Sequence, residues 1–123
     1  MKKIVFGITS LGIGGAERVL VDIVNKLKDE YDITIFTLYG NGAFEKEIDK
    51  NVKVIKMYNN SYEQMSNFKR KIIPIKILLG GNKVYKKYLD GKFDAEIAFL
   101  EGPITRIFKY GKSKKKIVWV HND

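Results

Sequence analysis

The sequence predicts an α/β fold, a Rossmann-like open parallel sheet with helices on both faces, and three observations predict it. Short β-branched apolar runs alternate with segments of helical periodicity along the whole chain. The first such run leads straight into a glycine-rich turn and an amphipathic helix. The length, 123 residues with 45% hydrophobic content, is one domain's worth: enough for a core and too little for two full domains. Strands separated by helices over this length form right-handed βαβ units.

Element by element, residues 4–8 (Ile-Val-Phe-Gly-Ile) have the continuous apolar character of a parallel strand buried on both faces. Residues 9–15 form the glycine-rich loop. Ala16, Val19, Leu20, Ile23, Val24 and Leu27 then recur at three- and four-residue spacing, with Arg18, Asp22, Asn25, Lys26 and Lys28 on the other side of a helix. Residues 33–38 are a second strand, closed by Tyr39-Gly40-Asn41-Gly42, and residues 43–50 a short helical turn. A third strand at 52–57 and a polar loop at 58–64 lead to a long basic helical region, about 66–89. Pro74 and Gly80-Gly81 must kink or divide that region. Residues 95–100 are a fourth strand, 104–110 a short helix entered through Gly102-Pro103, and 116–120 a fifth strand. The whole chain, 1–123, is expected to be one domain.

Composition narrows the chemistry. The absence of cysteine removes disulfides, thiolate metal sites and thiol nucleophiles, and suits a reducing compartment. With one histidine and no carboxylate cluster, no metal site is expected. Met1-Lys2-Lys3 and the apolar residues behind it do not make a secretory leader, because the run is short and Gly7 interrupts it. The greasiest stretch, 72–79, is broken by Pro74 and Lys76 and falls short of the ~20 residues a spanning helix needs. A cytoplasmic location is expected, with peripheral contact at the inner face of the membrane left open. The formal charge of +9 points to an anionic partner.

In an open parallel sheet, ligands sit at the carboxyl ends of the strands. Those ends carry residues 9–15, 39–42, Glu101-Gly102 and His121-Asn122-Asp123. Glycines let backbone approach a ligand closely, and the helix behind the loop offers unpaired N–H groups to an anion. The dinucleotide pattern G-x-G-x-x-G nearly fits Gly12 and Gly14, but Glu17 stands where the third glycine belongs. No acidic residue closes the second strand, and no Gly-Lys-Ser/Thr follows the loop. Familiar NAD and ATP sites are therefore disfavoured.

The run Ser10-Leu11-Gly12-Ile13-Gly14-Gly15-Ala16-Glu17-Arg18-Val19-Leu20, directly after the first strand, resembles the opening of glycosyltransferase family 4 enzymes of the GT-B fold. Phe99-Leu100-Glu101-Gly102-Pro103-Ile104-Thr105 and Ile117-Val118-Trp119-Val120-His121-Asn122-Asp123 resemble later parts of the same N-terminal half. The resemblance implies the acceptor-side domain of a two-domain, retaining glycosyltransferase. It implies no cofactor, since the nucleotide-sugar donor is a substrate, held mainly by a C-terminal domain with glutamates spaced E-x7-E. No two glutamates here stand eight positions apart, so that half is expected to be missing and this chain alone inactive. The implied acceptor is a saccharide or a lipid-linked sugar, in bacterial surface polysaccharide or glycolipid synthesis.

Roles then follow at matching positions. Gly14 and Gly15 would lie against the donor diphosphate or the acceptor, with Glu17 beside them. His121 matches a histidine that contacts the transferred sugar; the plainer reading is a histidine at a frayed strand end. Glu101 would bind or deprotonate an acceptor hydroxyl, or simply sit at the N-terminus of the next helix, favoured by its dipole. An i,i+4 partnership of Arg18 with Asp22 is an alternative role for the opening helix.

Between residues 66 and 92, eight cations face one acid, so this window supplies seven of the nine net charges. Lys69, Arg70, Lys71 and Lys76 interleave with Phe68, Ile72, Ile73, Ile75, Ile77, Leu78 and Leu79, the pattern of an interfacial helix on anionic lipid. A helix covering the sheet, with most of these apolar residues facing the core, is the other reading. Nucleic acid is disfavoured, because no recognition helix, RNA-binding aromatic motif or zinc site accompanies the charge. The alternative to an enzyme is a stand-alone module that binds phosphate or nucleotide without catalysis.

Overall fold

Five apolar runs become five strands, and the alternation of strand and helix sets their order. The computed structural model of the protein describes residues 1–12, 15–89, 93–99 and 102–119. β1 (Lys3–Ile8), α1 (Gly15–Leu27), β2 (Asp32–Tyr39), β3 (Lys53–Tyr58), α2 (Asn67–Tyr88), β4 (Ala95–Phe99), α3 (Pro103–Phe108) and β5 (Lys115–Trp119) follow in sequence. Short 3-10 turns lie at Glu45–Glu47 and Tyr62–Gln64. The sheet order is β3-β2-β1-β4-β5 and every pairing is parallel, the expected α/β, Rossmann-like architecture.

Alternate residues of the strands feed two cores. Phe6, Ile8, Ile33 and Ile35 pack with Leu20, Val21 and Val24 of α1 on one face. Val5, Phe36, Leu38 and Ala98 pack with Ile73, Ile77, Val84 and Tyr85 of α2 and with Ile104, Ile107 and Phe108 of α3 on the other. Gly7 is what lets α3 lie so close: a Cβ there would sit 2.5 Å from both Ile104 Cγ2 and Phe108 Cζ. β5 is the exception to two-sided cover. Its Ile117, Val118 and Trp119 are all exposed at the sheet edge.

α2 meets expectation at Gly80 and departs from it at Pro74. Ser66 caps its start, accepting from Lys69 N–H at 3.2 Å. Pro74 does not divide the helix, although it removes the bond its N–H would have given the Arg70 carbonyl. Only Gly80 leaves helical geometry (φ −134°, ψ 30°), and the axis kinks there. The kink is needed for packing, since Gly81 lies against Tyr110 and the Arg106 carbonyl, 3.1 and 3.3 Å from where a Cβ would be. The core also takes only Ile73 and Ile77 from the first half of α2, leaving its other large apolar residues outside.

A buried carboxylate fastens the far end of this layer. Glu96 of β4 is fully buried and accepts Ser113 N–H at 3.0 Å, which tethers the loop between α3 and β5. Gly111 lies directly against this carboxylate, so any Cβ there would collide with it. Burial, and then the charge of Glu96 beside it, push the Tyr85 hydroxyl above the usual tyrosine range.

Two measurements check this packing. Gly111→Ala should lower the unfolding free energy by about 1–3 kcal/mol through overpacking. Gly80→Ala, where a Cβ meets nothing within 4 Å, should leave it unchanged or raised; equal losses in a urea titration would refute the account. Because the folded state holds the Tyr85 proton more tightly than the unfolded chain, its contribution is complete below pH ~10 and is lost above that. Stability measured from pH 9 upward should fall, and Tyr85→Phe should flatten the fall.

Candidate functional site

α1 leaves β1 for one face of the sheet and α3 leaves β4 for the other, while β1 and β4 are neighbours. The connections therefore diverge at the carboxyl ends of β1 and β4, the switch point where open α/β sheets hold ligands. Gly7 pairs with Ala98 and Phe99 with Trp119, so β1, β4 and β5 end side by side at Ile8, Phe99 and Trp119. Phe99 is the hub there: its ring stacks on Trp119 (5.2 Å, 8°) and tilts against Phe6 at 6.2 Å. Gly14, Glu101 and His121 lie outside the described residues.

The rim on the β2 side is tightly built. Leu38 and Tyr39 N–H groups both donate to the Thr9 carbonyl, at 3.1 and 3.0 Å. Phe44 N–H donates to the Leu11 carbonyl at 2.8 Å. A Cβ on Gly42 would lie 2.5 Å from the Leu11 carbonyl group, so only glycine allows these two loops to meet backbone to backbone. Gly15 opens α1 and is half-buried, and Glu17 is half-buried in the first turn, where an acid suits the helix dipole.

Beside that rim, Asn41, Gly42, Ala43, Glu45, Lys46, Lys56 and Asn59 enclose a polar hollow of about 420 Å³ at the carboxyl ends of β2 and β3. Lys56 Nζ pairs with Glu45 Oε1 at 2.9 Å, and Glu45 Oε2 accepts Gly42 N–H at 2.6 Å. Asn41 adopts a left-handed conformation (φ 55°), and its side-chain amide donates to Gln64 Oε1 at 3.2 Å. Tyr39 stacks on Tyr58 and meets Tyr62 edge-on below; burial, then these two neighbours, raise its pKa. Amide, ammonium and carboxylate groups converging in an open hollow suit a hydroxyl-rich ligand. The somewhat larger hollow around Met1, Asp29, Asp32 and Asn51 lies at the amino ends of the strands, away from the switch point.

The remaining sequence candidates separate. Arg18 does not pair with Asp22. It reaches Glu47 Oε1 at 3.2 Å and lies over the Phe44 ring at 4.7 Å, because the 43–49 segment folds back onto α1. Arg70 is engaged within the fold, donating to the Tyr62 and Glu63 carbonyls at 3.0 and 2.9 Å. Lys69, Lys71 and Lys76 are exposed on α2. Glu45, Lys56 and Asn59 were not singled out from the sequence. Their signal was the strand-ending loop at 39–42, which marks the right edge of the sheet but not which neighbours crowd it.

No family model matches the sequence. The chain is 29% identical over 105 residues, 82% of its length, to the GalNAc-alpha-(1->4)-GalNAc-alpha-(1->3)-diNAcBac-PP-undecaprenol alpha-1,4-N-acetyl-D-galactosaminyltransferase of Campylobacter jejuni subsp. jejuni serotype O:2 (strain ATCC 700819 / NCTC 11168). The match spans 26% of that enzyme's length, about a quarter of it. This distant likeness supports a relationship to glycosyltransferases.

Proposed function

We propose that the chain is the acceptor-side, N-terminal half of a retaining glycosyltransferase of family 4 with the GT-B fold. It works with a C-terminal domain that holds a nucleotide-sugar donor. The observation that carries this reading is the likeness to the Campylobacter transferase, in a chain that folds into a parallel sheet with its switch point at the carboxyl ends of β1 and β4. That relative's acceptor is a polyprenol-diphosphate sugar by its name, which makes a saccharide or lipid-linked acceptor the class to test. Surface polysaccharide or glycolipid synthesis is the corresponding setting.

In the reaction, an acceptor hydroxyl attacks the anomeric carbon as the bond to the nucleoside diphosphate breaks. The diphosphate leaves with the electron pair, and the hydroxyl proton must go to a base or to the leaving group. Gly14 and Gly15, having no side chain, would lie against the donor diphosphate or the acceptor, with Glu17 beside them. His121 contacts the transferred sugar, and Glu101 binds or deprotonates the acceptor hydroxyl. The hollow of Asn41, Lys46 and Asn59 takes the acceptor's saccharide, supported by its converging donors and acceptors.

Transfer assayed with the longer protein against a panel of nucleotide sugars tests this. The expected result is turnover there and none from residues 1–123 alone. His121→Ala should reduce kcat by about a hundredfold or more with unchanged circular dichroism. Asn59→Ala should raise the acceptor KM and leave kcat nearly intact. Nucleotide binding by residues 1–123 alone, with no transfer by any longer form, would favour the phosphate-binding module instead.

A further inference from the structure

α1 carries an asparagine that neither the helix nor the core requires. Asn25 stands half-buried near the carboxyl end of α1, and asparagine is among the poorer helix formers because its side chain competes for backbone groups. The core beside it is filled by Leu20, Val21 and Val24. Its amide is spent on main chain from another part of the fold. Nδ2 donates to the Glu47 carbonyl at 2.9 Å, and Oδ1 accepts Asp49 N–H at 3.1 Å. Donor and acceptor of one side chain thus hold both ends of the stretch 47–49.

That stretch continues directly from one wall of the polar hollow. The 3-10 turn at Glu45–Glu47 is too short to be stable alone, and its local hydrogen bonds run only to the Gly42, Phe44 and Glu45 carbonyls. Phe44 and Ile48 pack against the α1 core, while Glu45 and Lys46 between them line the hollow. Among the described residues, two long-range hydrogen-bonded anchors of this main chain bracket the pair. Phe44 N–H meets the Leu11 carbonyl at 2.8 Å before it, and Asn25 grips the chain after it. The ion pairs along the segment are weaker ties. Arg18–Glu47 is solvent-exposed on both sides, and Lys28 divides itself between Asp49 at 3.6 Å and Asp29 at 3.5 Å. Glu45 is further steadied by Lys56, whereas Lys46 depends on where the main chain is put.

We propose that Asn25 is a positioning residue for the acceptor. Without touching it, Asn25 sets where Lys46 and Glu45 stand in the wall, and so how tightly the hollow holds a saccharide. The inference rests on the reading of that hollow as the acceptor's saccharide subsite. It locates a determinant of acceptor affinity on α1, behind the wall rather than in it. Bond breaking at the anomeric carbon and the hold on the donor are left to other groups, so the effect belongs to the acceptor KM and not to kcat.

In the longer protein, Asn25→Ala should raise the acceptor KM about fivefold, the equilibrium worth of one ordinary hydrogen bond. Its kcat and donor KM should stay within about twofold of the unsubstituted values. Hydrogen exchange at the Asp49 amide should speed up, while the Leu20 and Val24 amides of α1 keep their protection. A cycle with Lys46→Ala should be non-additive: once Lys46 is gone, Asn25→Ala should cost about twofold or less. Asn25→Asp keeps the acceptor and loses the donor; it should move KM in the same direction and serves if the alanine variant does not fold. An unchanged acceptor KM where Asn59→Ala raises it, a loss confined to kcat, or fully multiplicative effects in the cycle would overturn the proposal and leave the subsite reading standing. An acceptor KM unmoved by both Asn59→Ala and Lys46→Ala would overturn that reading, and this proposal with it.

Discussion

A parallel sheet has no wet face to spare, and most of this architecture follows from that constraint. Each strand presents apolar side chains alternately to both sides, so helices must cover both. A right-handed crossover from β1 to β2 puts α1 on one face. The other face needs α2 and α3, and α3 reaches it only because Gly7 lets a helix lie against β1 without a side chain between. Once the covers are divided in this way, the connections after β1 and β4 must diverge, and a crevice opens between adjacent strand ends. Location of the candidate site is thus a by-product of covering the sheet.

The α2 cover shows the same constraint meeting its limit. A 22-residue helix is longer than the sheet face it protects requires, and its two halves are built differently. Past Gly80 it packs as a cover, with Val84, Tyr85 and Leu89 inward and cations outward. Before Gly80 only Ile73 and Ile77 serve the core. The remaining apolar residues of this half, Phe68, Ile72, Ile75, Leu78 and Leu79, are exposed and contribute nothing to the core under the sheet.

Much of the fold was legible because its signals are local. Residues 4–8, 33–38 and 95–99 are apolar runs too short for helices, and α1 keeps one periodic stripe from Ala16 to Leu27. What was not legible depends on distant neighbours. Arg18 is four residues from Asp22 yet pairs with Glu47, which only the folded 43–49 segment brings near. Periodicity also cannot rank two opposed stripes: residues 68–79 fit a helix with either side inward, and the width of the sheet decides. Pro74 looked like a break, but one missing hydrogen bond is tolerable in a helix held by Ile73 and Ile77. The polar hollow escaped notice because Glu45 and Lys56, eleven residues apart, join only when β3 lies beside β2.

The meeting of Gly42 with Leu11 bears on how the domain would respond to a guest. Two segments that touch through their main chains, with no side chains to rearrange between them, cannot slide or part without breaking hydrogen bonds. That wall of the crevice is therefore a stiff jaw. Any accommodation to the size of an incoming molecule has to come from other walls of the crevice, which makes this one a template rather than a moving part.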